Sequence, residues 1–476
     1  MQTSDREGER RTPGTAGGRR TGRIERIHSP GAARASRADR AGSEDSAGRM
    51  TRKRPTIQWV VRRGLCTGCG ACVGVCPAGA LTMHIDGRQG GYVPRIDKTM
   101  CTRCGLCVDV CPGHTVDFEG LGRRLFGDIP EDIVLGRYLG CYVGCAADKD
   151  IRYDSASGGL VTALLIFALE RGLIDGALVT RMRADKPLEP EPFIARTRQE
   201  ILSAARSKYC PVAADVALRE ILRSQGRFAV VGLPCHIQAL RKAEQQIESL
   251  RERIRYRISL ACSLDFSFRG TLRLLWTLRI PPASVTRLEY RGRGWPGTML
   301  IGRSDGTETR LPLADCRNRL GPFSLRRCTL CSDLTGELSD LSCGDAGLPE
   351  LVEKDKLGSS FVLTRTPEAE ELLESAAAEM AVELSELDVR ELKAVQSFAI
   401  FKKRRLRARM SLFRWTGRSV PRYRQKLLPP ARGDCRSSIK FYLARYALSG
   451  HRPILRRLFH VAGLLKRKNR QGPAAR

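Results

Sequence analysis

Large apolar residues are nearly absent from residues 1–56, a stretch dominated by Arg, Gly, Ala and Ser. Such a segment cannot bury enough surface to offset the entropy of ordering it, so a disordered Arg-rich arm is expected there. Met50 stands just before the first structured-looking residues, which suggests an over-extended start, and Glu7, Glu25 and Asp45 argue against a transit peptide. Further on, the strongest apolar run, Gly158 to Leu169, stops at Glu170 and Arg171, short of the roughly 18 residues that a membrane span needs. It predicts a buried helix over Gly158–Arg171. The pattern then alternates between strand-like Gly176–Thr180, helical Pro211–Ser224 with Val212, Val216 and Leu222 spaced for burial, and strand-like Phe228–Gly232. Ala229, Val230 and Val231 run without a polar break, as in a strand covered on both faces. A strand signal at Gly358–Thr364 and an Ala/Glu/Leu-rich helix over Pro367–Glu383 continue the alternation, which is that of an α/β or α+β chain.

A length of 476 residues suggests two to four units, and charge divides them further. Residues 401–476 hold 23 Lys or Arg against a single acid, Asp434, and so supply +22 of the formal +31. Charge concentrated in a tail suits an acidic partner protein or anionic lipid headgroups, and nucleic-acid binding is not expected. Within the tail, Ile439–Arg470 carries Phe441, Tyr442, Leu443, Tyr446, Leu455, Leu458, Phe459 and Leu464 amid Arg and Lys. These residues would form either interfacial helices on a membrane surface or helices packed on the body with a solvated basic face.

Eighteen cysteines change the picture most. There is no apolar signal segment near Met1, and most thiols fall in close C-x-x-C groups that suit metal better than bridges, so a cytoplasmic, reducing location is expected. Cys66, Cys69, Cys72 and Cys76-Pro77 are repeated as Cys101, Cys104, Cys107 and Cys111-Pro112. Three thiolates at this spacing cap three irons of one cube, and the fourth of each run reaches the other cube. The spacing thus assigns Cys66, Cys69, Cys72 and Cys111 to one 4Fe-4S cluster, and Cys101, Cys104, Cys107 and Cys76 to a second. Zinc also accepts four thiolates, but zinc motifs rarely carry four cysteines twice, each run closed by Cys-Pro. Gly68, Gly70 and Gly105 leave room for backbone N–H groups to approach the sulfurs. Clusters of this type carry single electrons and do little bond chemistry, which makes the module a wire that needs something at its end.

Beyond it, Tyr153-Asp154-Ser155-Ala156-Ser157-Gly158-Gly159, Ser207-Lys208-Tyr209, Val231-Gly232-Leu233-Pro234-Cys235-His236 and Arg327-Cys328-Thr329-Leu330-Cys331 stand in order. From about Cys66 to Arg365 the chain resembles the beta subunit of coenzyme F(420)-reducing hydrogenase and its relatives, among them the deazaflavin-linked formate dehydrogenase beta subunit and chlorophyll-pathway reductases. The resemblance implies FAD. Ser155, Ser157, Gly158 and Gly159 before a helix suit a pyrophosphate, although a plain N-cap explains the same residues. Thr162 would add a hydroxyl contact. Lys208, between Ser207 and Tyr209, would place a cation near flavin or its phosphates, against the plain alternative of a surface lysine.

The residues leave Cys235 open as metal ligand, redox thiol or space-filler. The family pattern favours the first and implies a third 4Fe-4S cluster held by Cys235, Cys262, Cys328 and Cys331, with Cys316 and Cys343 as further candidates. Cys141, Cys145, Cys210 and Cys435 look structural, and His114 is either a satisfied structural residue or a tuner of the nearby cluster. No nucleophile–His–acid set stands out, which suits cofactor-driven chemistry.

The expected architecture is a bacterial-type dicluster ferredoxin fold at 57–120, appended to a mixed α/β flavin-binding domain in two parts, 121–260 and 261–400. A basic, mainly helical tail follows at 401–476. The expected activity is oxidoreduction, with clusters and FAD exchanging electrons and FAD exchanging hydride with an organic acceptor such as a deazaflavin. A redox partner protein is expected as well. The alternative is a non-catalytic electron-relay subunit that docks on another enzyme or, peripherally, on a membrane.

Overall fold

The computed structural model describes residues 56–431 and 433–447, with side chains through residue 440. Residues 1–55 of the arm expected at 1–56, Met50 among them, lie outside the described residues, as do the side chains of 441–447 and all of 448–476. The continuous apolar strand Phe228–Gly232 forms as the sequence predicts, deep in an eight-stranded mixed sheet. Across that sheet the order is Val382–Glu386, Cys141–Ala146, Ser360–Thr364, Leu341–Asp345, Ile254–Leu260, Phe228–Gly232, Gly176–Met182 and Pro190–Ala195. The four strands from Leu341–Asp345 to Gly176–Met182 run parallel, and the outer pairs are antiparallel. Strands from both sides of residue 260 interleave, so the expected division there cuts through one sheet.

One face of the sheet is covered by helices Leu160–Glu170 and Pro367–Ala378, whose Leu164, Leu165, Leu372 and Leu373 are fully or almost fully buried. The other face is covered by helices Leu218–Arg223 and Pro234–Glu244, together with Ala71, Val75 and Val110 of the cysteine-rich unit. That unit is therefore no appendage: it supplies part of the core. Gly74 shows how close the contact is, since a Cβ there would stand 2.1 Å from the Asp215 carbonyl oxygen. We expect Gly74→Ala to cost about 3 kcal/mol, at the upper end for overpacking, read as a lower denaturation midpoint with an unchanged slope. No such cost would mean that the unit docks loosely.

Two predicted helices differ in the structure. Over Pro211–Ser224 the chain makes a 3-10 turn at Ala214–Ala217 before the helix Leu218–Arg223, because the Asp215 N–H leaves the helical pattern to donate to the Cys69 carbonyl at 2.9 Å. The helix from Pro367 ends at Ala378 instead of Glu383. Met380 takes a left-handed φ of 54°, and the alternating Val382-Glu383-Leu384 is drawn into the sheet edge beside Cys141–Ala146. A three-stranded antiparallel sheet, Glu308–Pro312, Thr298–Arg303 and Val285–Glu289, forms a lobe with helices Phe268–Thr277 and Leu313–Leu320.

The beginning of the basic tail is part of the body. Helix Ser397–Trp415 buries Ala399, Lys402, Lys403, Leu406, Arg409, Met410 and Phe413, one helical face by their spacing. Strand Arg422–Arg424 pairs in parallel with Thr115–Asp117 of the ferredoxin-like unit. Helix Asp434–Ala447 follows.

Candidate functional site

The parallel strands bring the predicted chemistry to one edge. Phe228–Gly232 ends just before Cys235, Ile254–Leu260 just before Cys262, and Leu341–Asp345 on Asp345 itself, all at carboxyl ends, where open α/β sheets place their ligands. Cys235 sits in the first turn of helix Pro234–Glu244. His236 fixes that turn: its Nδ1 accepts from the Leu233 N–H at 3.0 Å and its Nε2 meets the Val212 carbonyl at 3.1 Å. Burial lowers the His236 pKa to about 4, which keeps the ring neutral. Cys328 and Cys331 lie on and just after the 3-10 turn Arg326–Leu330.

Mutual electrostatics show which thiols are neighbours. Burial pushes the Cys72 thiol well up, and Cys69, Cys66, Cys111 and Cys107 push it further. Cys107 is raised by burial and then by Cys104, Cys101 and Cys76. Cys235 is raised by burial and then by Cys69, Cys262, Cys328 and Cys331. Laid over the three sets expected from the sequence, these neighbours give an order. Cys101, Cys104, Cys107 and Cys76 come first, Cys66, Cys69, Cys72 and Cys111 lie in the middle, and Cys235, Cys262, Cys328 and Cys331 are at the far end, the links being Cys107 to Cys72 and Cys69 to Cys235.

Deprotonated together, as cluster ligands are, these cysteines would need metal charge among them. Among the described residues no three His, Cys, Asp or Glu side chains gather on a single ion, whereas a cube takes each cysteine on a different iron. Cys316 and Cys343 stay apart from the third set: Cys316 is buried in the lobe core and Cys343 in the large sheet. Cys141, Cys145 and Cys210 are buried, while Cys435 is exposed. His114 packs edge-on against Trp59, with ring centroids 5.2 Å apart, as a structural residue does.

Three buried cations flank the third set. Lys402 donates to the carbonyls of Cys262 at 3.0 Å and Asp333 at 3.2 Å. Arg409 donates to the Lys402 carbonyl at 2.7 Å. Arg327 donates to the Leu65 carbonyl at 3.1 Å and the Tyr423 hydroxyl at 2.7 Å, spanning the middle and third sets. Burial works against charge on Lys402, yet Cys331, Cys262, Cys328 and Asp333 outweigh it and raise its pKa.

Beside this row lies the cradle expected for a flavin. Gly159, at a left-handed φ of 73°, starts helix Leu160–Glu170, whose first-turn N–H groups have no partner within the helix. Ser157 donates to the Ser359 carbonyl at 2.8 Å, and the Gly158 N–H to the Ser360 hydroxyl at 3.1 Å. Ser155 is buried with its hydroxyl unpartnered, and Thr162 is half-buried one turn in. The Ser207-Lys208-Tyr209 loop is brought to the same place by Arg206, which pairs with Asp154 at 2.7 Å and Glu289 at 3.1 Å while its Nε stays orphaned. Lys208 is already occupied: its ammonium donates to the Ala204, Ala205 and Arg206 carbonyls, and burial followed by Arg206 lowers its pKa to about 7.

Sequence reasoning missed the opposite wall. Asp345 accepts from Arg291 at 2.6 Å and from the Trp295 indole at 2.7 Å, with the Ser157 hydroxyl 3.5 Å away. Arg206, Arg287 and Arg293 surround Glu289. The signal was the glycine-rich run Arg291–Gly297, a sharp loop between strands Val285–Glu289 and Thr298–Arg303.

Three family models match. Two describe the beta subunit of coenzyme F420 hydrogenase/dehydrogenase, its N-terminal part over residues 141–219 and its C-terminal part over 225–390, and the third is a "4Fe-4S dicluster domain" over 65–115. The coenzyme F420 hydrogenase subunit beta of Methanosarcina barkeri is 31% identical over 256 residues, 52% of this chain and 82% of that protein. An uncharacterised protein of Methanocaldococcus jannaschii is 30% identical over 72% of this chain and 94% of its own length. The coenzyme F420-dependent sulfite reductase of the same organism is 28% identical over 75% of this chain and 53% of its own. A chain of the F420-reducing NiFe hydrogenase complex from Methanosarcina barkeri aligns over 59% of this chain and 96% of its own, at 27% identity and a TM-score of 0.47.

Proposed function

Because the chain belongs to the coenzyme F(420) hydrogenase/dehydrogenase beta-subunit family and carries a 4Fe-4S dicluster domain, we propose that it is an iron–sulfur flavoprotein oxidoreductase. In this role it moves single electrons along three 4Fe-4S clusters to or from FAD. The observation that carries the proposal is the row of three four-thiol sets ending at the sheet edge that also holds Ser157 and Asp345. Flavin, when bound, converts single electrons to hydride, and the names of the relatives favour coenzyme F(420) as the hydride partner.

The residues divide the work. Cys101, Cys104, Cys107 and Cys76 would hold the outer cluster, and the exposed Cys104 makes that the port for a partner redox subunit, in keeping with relatives that are named as subunits. Cys66, Cys69, Cys72 and Cys111 would hold the middle cluster, and Cys235, Cys262, Cys328 and Cys331 the one facing flavin. Ser155, Ser157, Gly158, Gly159 and Thr162 would bind the FAD pyrophosphate at a helix N-terminus. Arg291 and Trp295 hold Asp345 against Ser157 and so shape the rim. Ser207 and Tyr209 would line the cradle, and Lys208 would act there by stiffening its loop. No described helix is long and apolar enough to cross a membrane.

Anaerobic reconstitution tests the proposal through iron, sulfide and flavin content, followed by absorbance of coenzyme F(420) under reducing conditions. We expect about twelve irons and one FAD per chain, with reduction of the deazaflavin. Full iron without flavin would sink the enzyme and leave an electron-relay subunit.

A further inference from the structure

Cations on a helix normally point to water, as Arg404, Arg407 and Arg414 do here. On the opposite face of Ser397–Trp415, Lys402 is 2% exposed and Arg409 6%; Arg327, on a separate turn, is 6% exposed. Lys403, next to Lys402, meets the carboxylate of Glu337 at 2.6 Å, the ordinary solution for a buried ammonium. Lys402, Arg409 and Arg327 donate only to backbone carbonyls and one phenol, Arg409 also lies over the Phe401 ring and Arg327 over that of Tyr423, and among the described residues none has a carboxylate within ion-pairing distance. Two acids do stand near. The Asp333 carboxylate is taken up by Gln238 at 3.0 Å and the Gly336 N–H at 2.8 Å, and Asp265 accepts from the Phe266 N–H at 2.8 Å. An uncompensated buried charge costs several kcal/mol, so these cations require an anion that the side chains alone do not supply.

We propose that Lys402, Arg409 and Arg327 form a cationic cradle for the third cluster that raises its reduction potential, which gives the base of the basic tail a redox role. The proposal rests on the third-cluster assignment above. Four thiolates on an oxidised cube leave a doubly negative group. Taking one electron from the middle cluster adds a further negative charge, which returns to the middle cluster or passes to flavin when the third cluster is reoxidised. Fixed cations in a water-poor site favour the more negative, reduced form, so the third cluster becomes the better acceptor and electrons are drawn from the ferredoxin clusters toward flavin. Lys402 and Arg409 lie on a helix beyond residues 225–390, whereas Arg327 lies within them, so the tail adds two of the three cations to the matched family domain.

The test is an anaerobic redox titration of the reconstituted full chain, followed by electron paramagnetic resonance alongside iron counts. In Lys402→Met, we expect one midpoint of three to move to more negative potential by at least tenfold in the reduction equilibrium, about 59 mV for a one-electron couple. Lys402→Arg should restore it, and Arg404→Met, on the exposed face, should leave all three midpoints in place. Loss of four irons in Lys402→Met with retention in Lys402→Arg would support the same cradle, as the charge would then be needed to hold the cluster at all. About twelve irons with unmoved midpoints in Lys402→Met and Arg409→Met would overturn the cradle while leaving the cluster in place. About eight irons in the unaltered protein would remove the third cluster and the cradle with it.

Discussion

On the proposed assignment, replacing Cys328 with serine should take about four irons and four sulfides from each chain and bring electron delivery to the proposed flavin down to background, with the two ferredoxin clusters intact. Cys328 lies on the turn Arg326–Leu330, where burial and then Asp265 push its thiol up to about 11. A serine hydroxyl ionises far less readily than this thiol and is a poor iron ligand, which leaves three thiolates for a cube that needs four. Iron and labile sulfide counts, with paramagnetic resonance of the reduced protein, would check this. Cys316→Ser is the control, since Cys316 is fully buried in the lobe core and stands apart from all three sets. Retention of about twelve irons in Cys328→Ser would reassign the third set.

The second large effect is one of stability. Arg241 and Arg257 interlock with Glu244 and Asp340 beneath the sheet: Arg241 meets both carboxylates, and Arg257 meets Glu244 at 2.7 Å and Asp340 at 3.5 Å. All four side chains are nine-tenths or more buried. Arg241→Ala strips one cation from two buried carboxylates and removes a hydrogen bond to the Leu338 carbonyl. The expected loss is about 3–5 kcal/mol, measured by chemical denaturation, and the change should also lower occupancy of the proposed third cluster because Arg241 anchors the helix whose first turn holds Cys235. A loss under about 1 kcal/mol would show that the four charges rearrange freely.

The ferredoxin-like unit was legible because spacing alone encodes it: two cysteine runs ending in Cys-Pro can hardly do anything else. Phe228–Gly232 was legible because an apolar strand buried on both faces has no polar interruption. The turn at Ala214–Ala217 was not, since what bends it is a hydrogen bond from Asp215 to Cys69, a contact that no local periodicity records. Asp345, Arg291 and Trp295 were missed for a related reason: they are about fifty positions apart in pairs and meet only when the lobe folds against the large sheet. The start of the tail was hardest to read: its charge says nothing of burial, but the spacing from Ala399 through Leu406 to Phe413 describes a buried face, and Lys402 and Arg409 belong to it.

The parallel pairing of Arg422–Arg424 with Thr115–Asp117 also sets an order of events during synthesis. Arg424 follows Asp117 by 307 residues, so at about 5–20 residues per second a ribosome needs roughly 15–60 s to make the strand that completes this edge. Throughout that interval Thr115–Asp117, which follows Cys111 closely in sequence, lacks the strand that pairs with it. A pause or truncation before residue 422 would leave that edge of the ferredoxin-like unit without its partner strand.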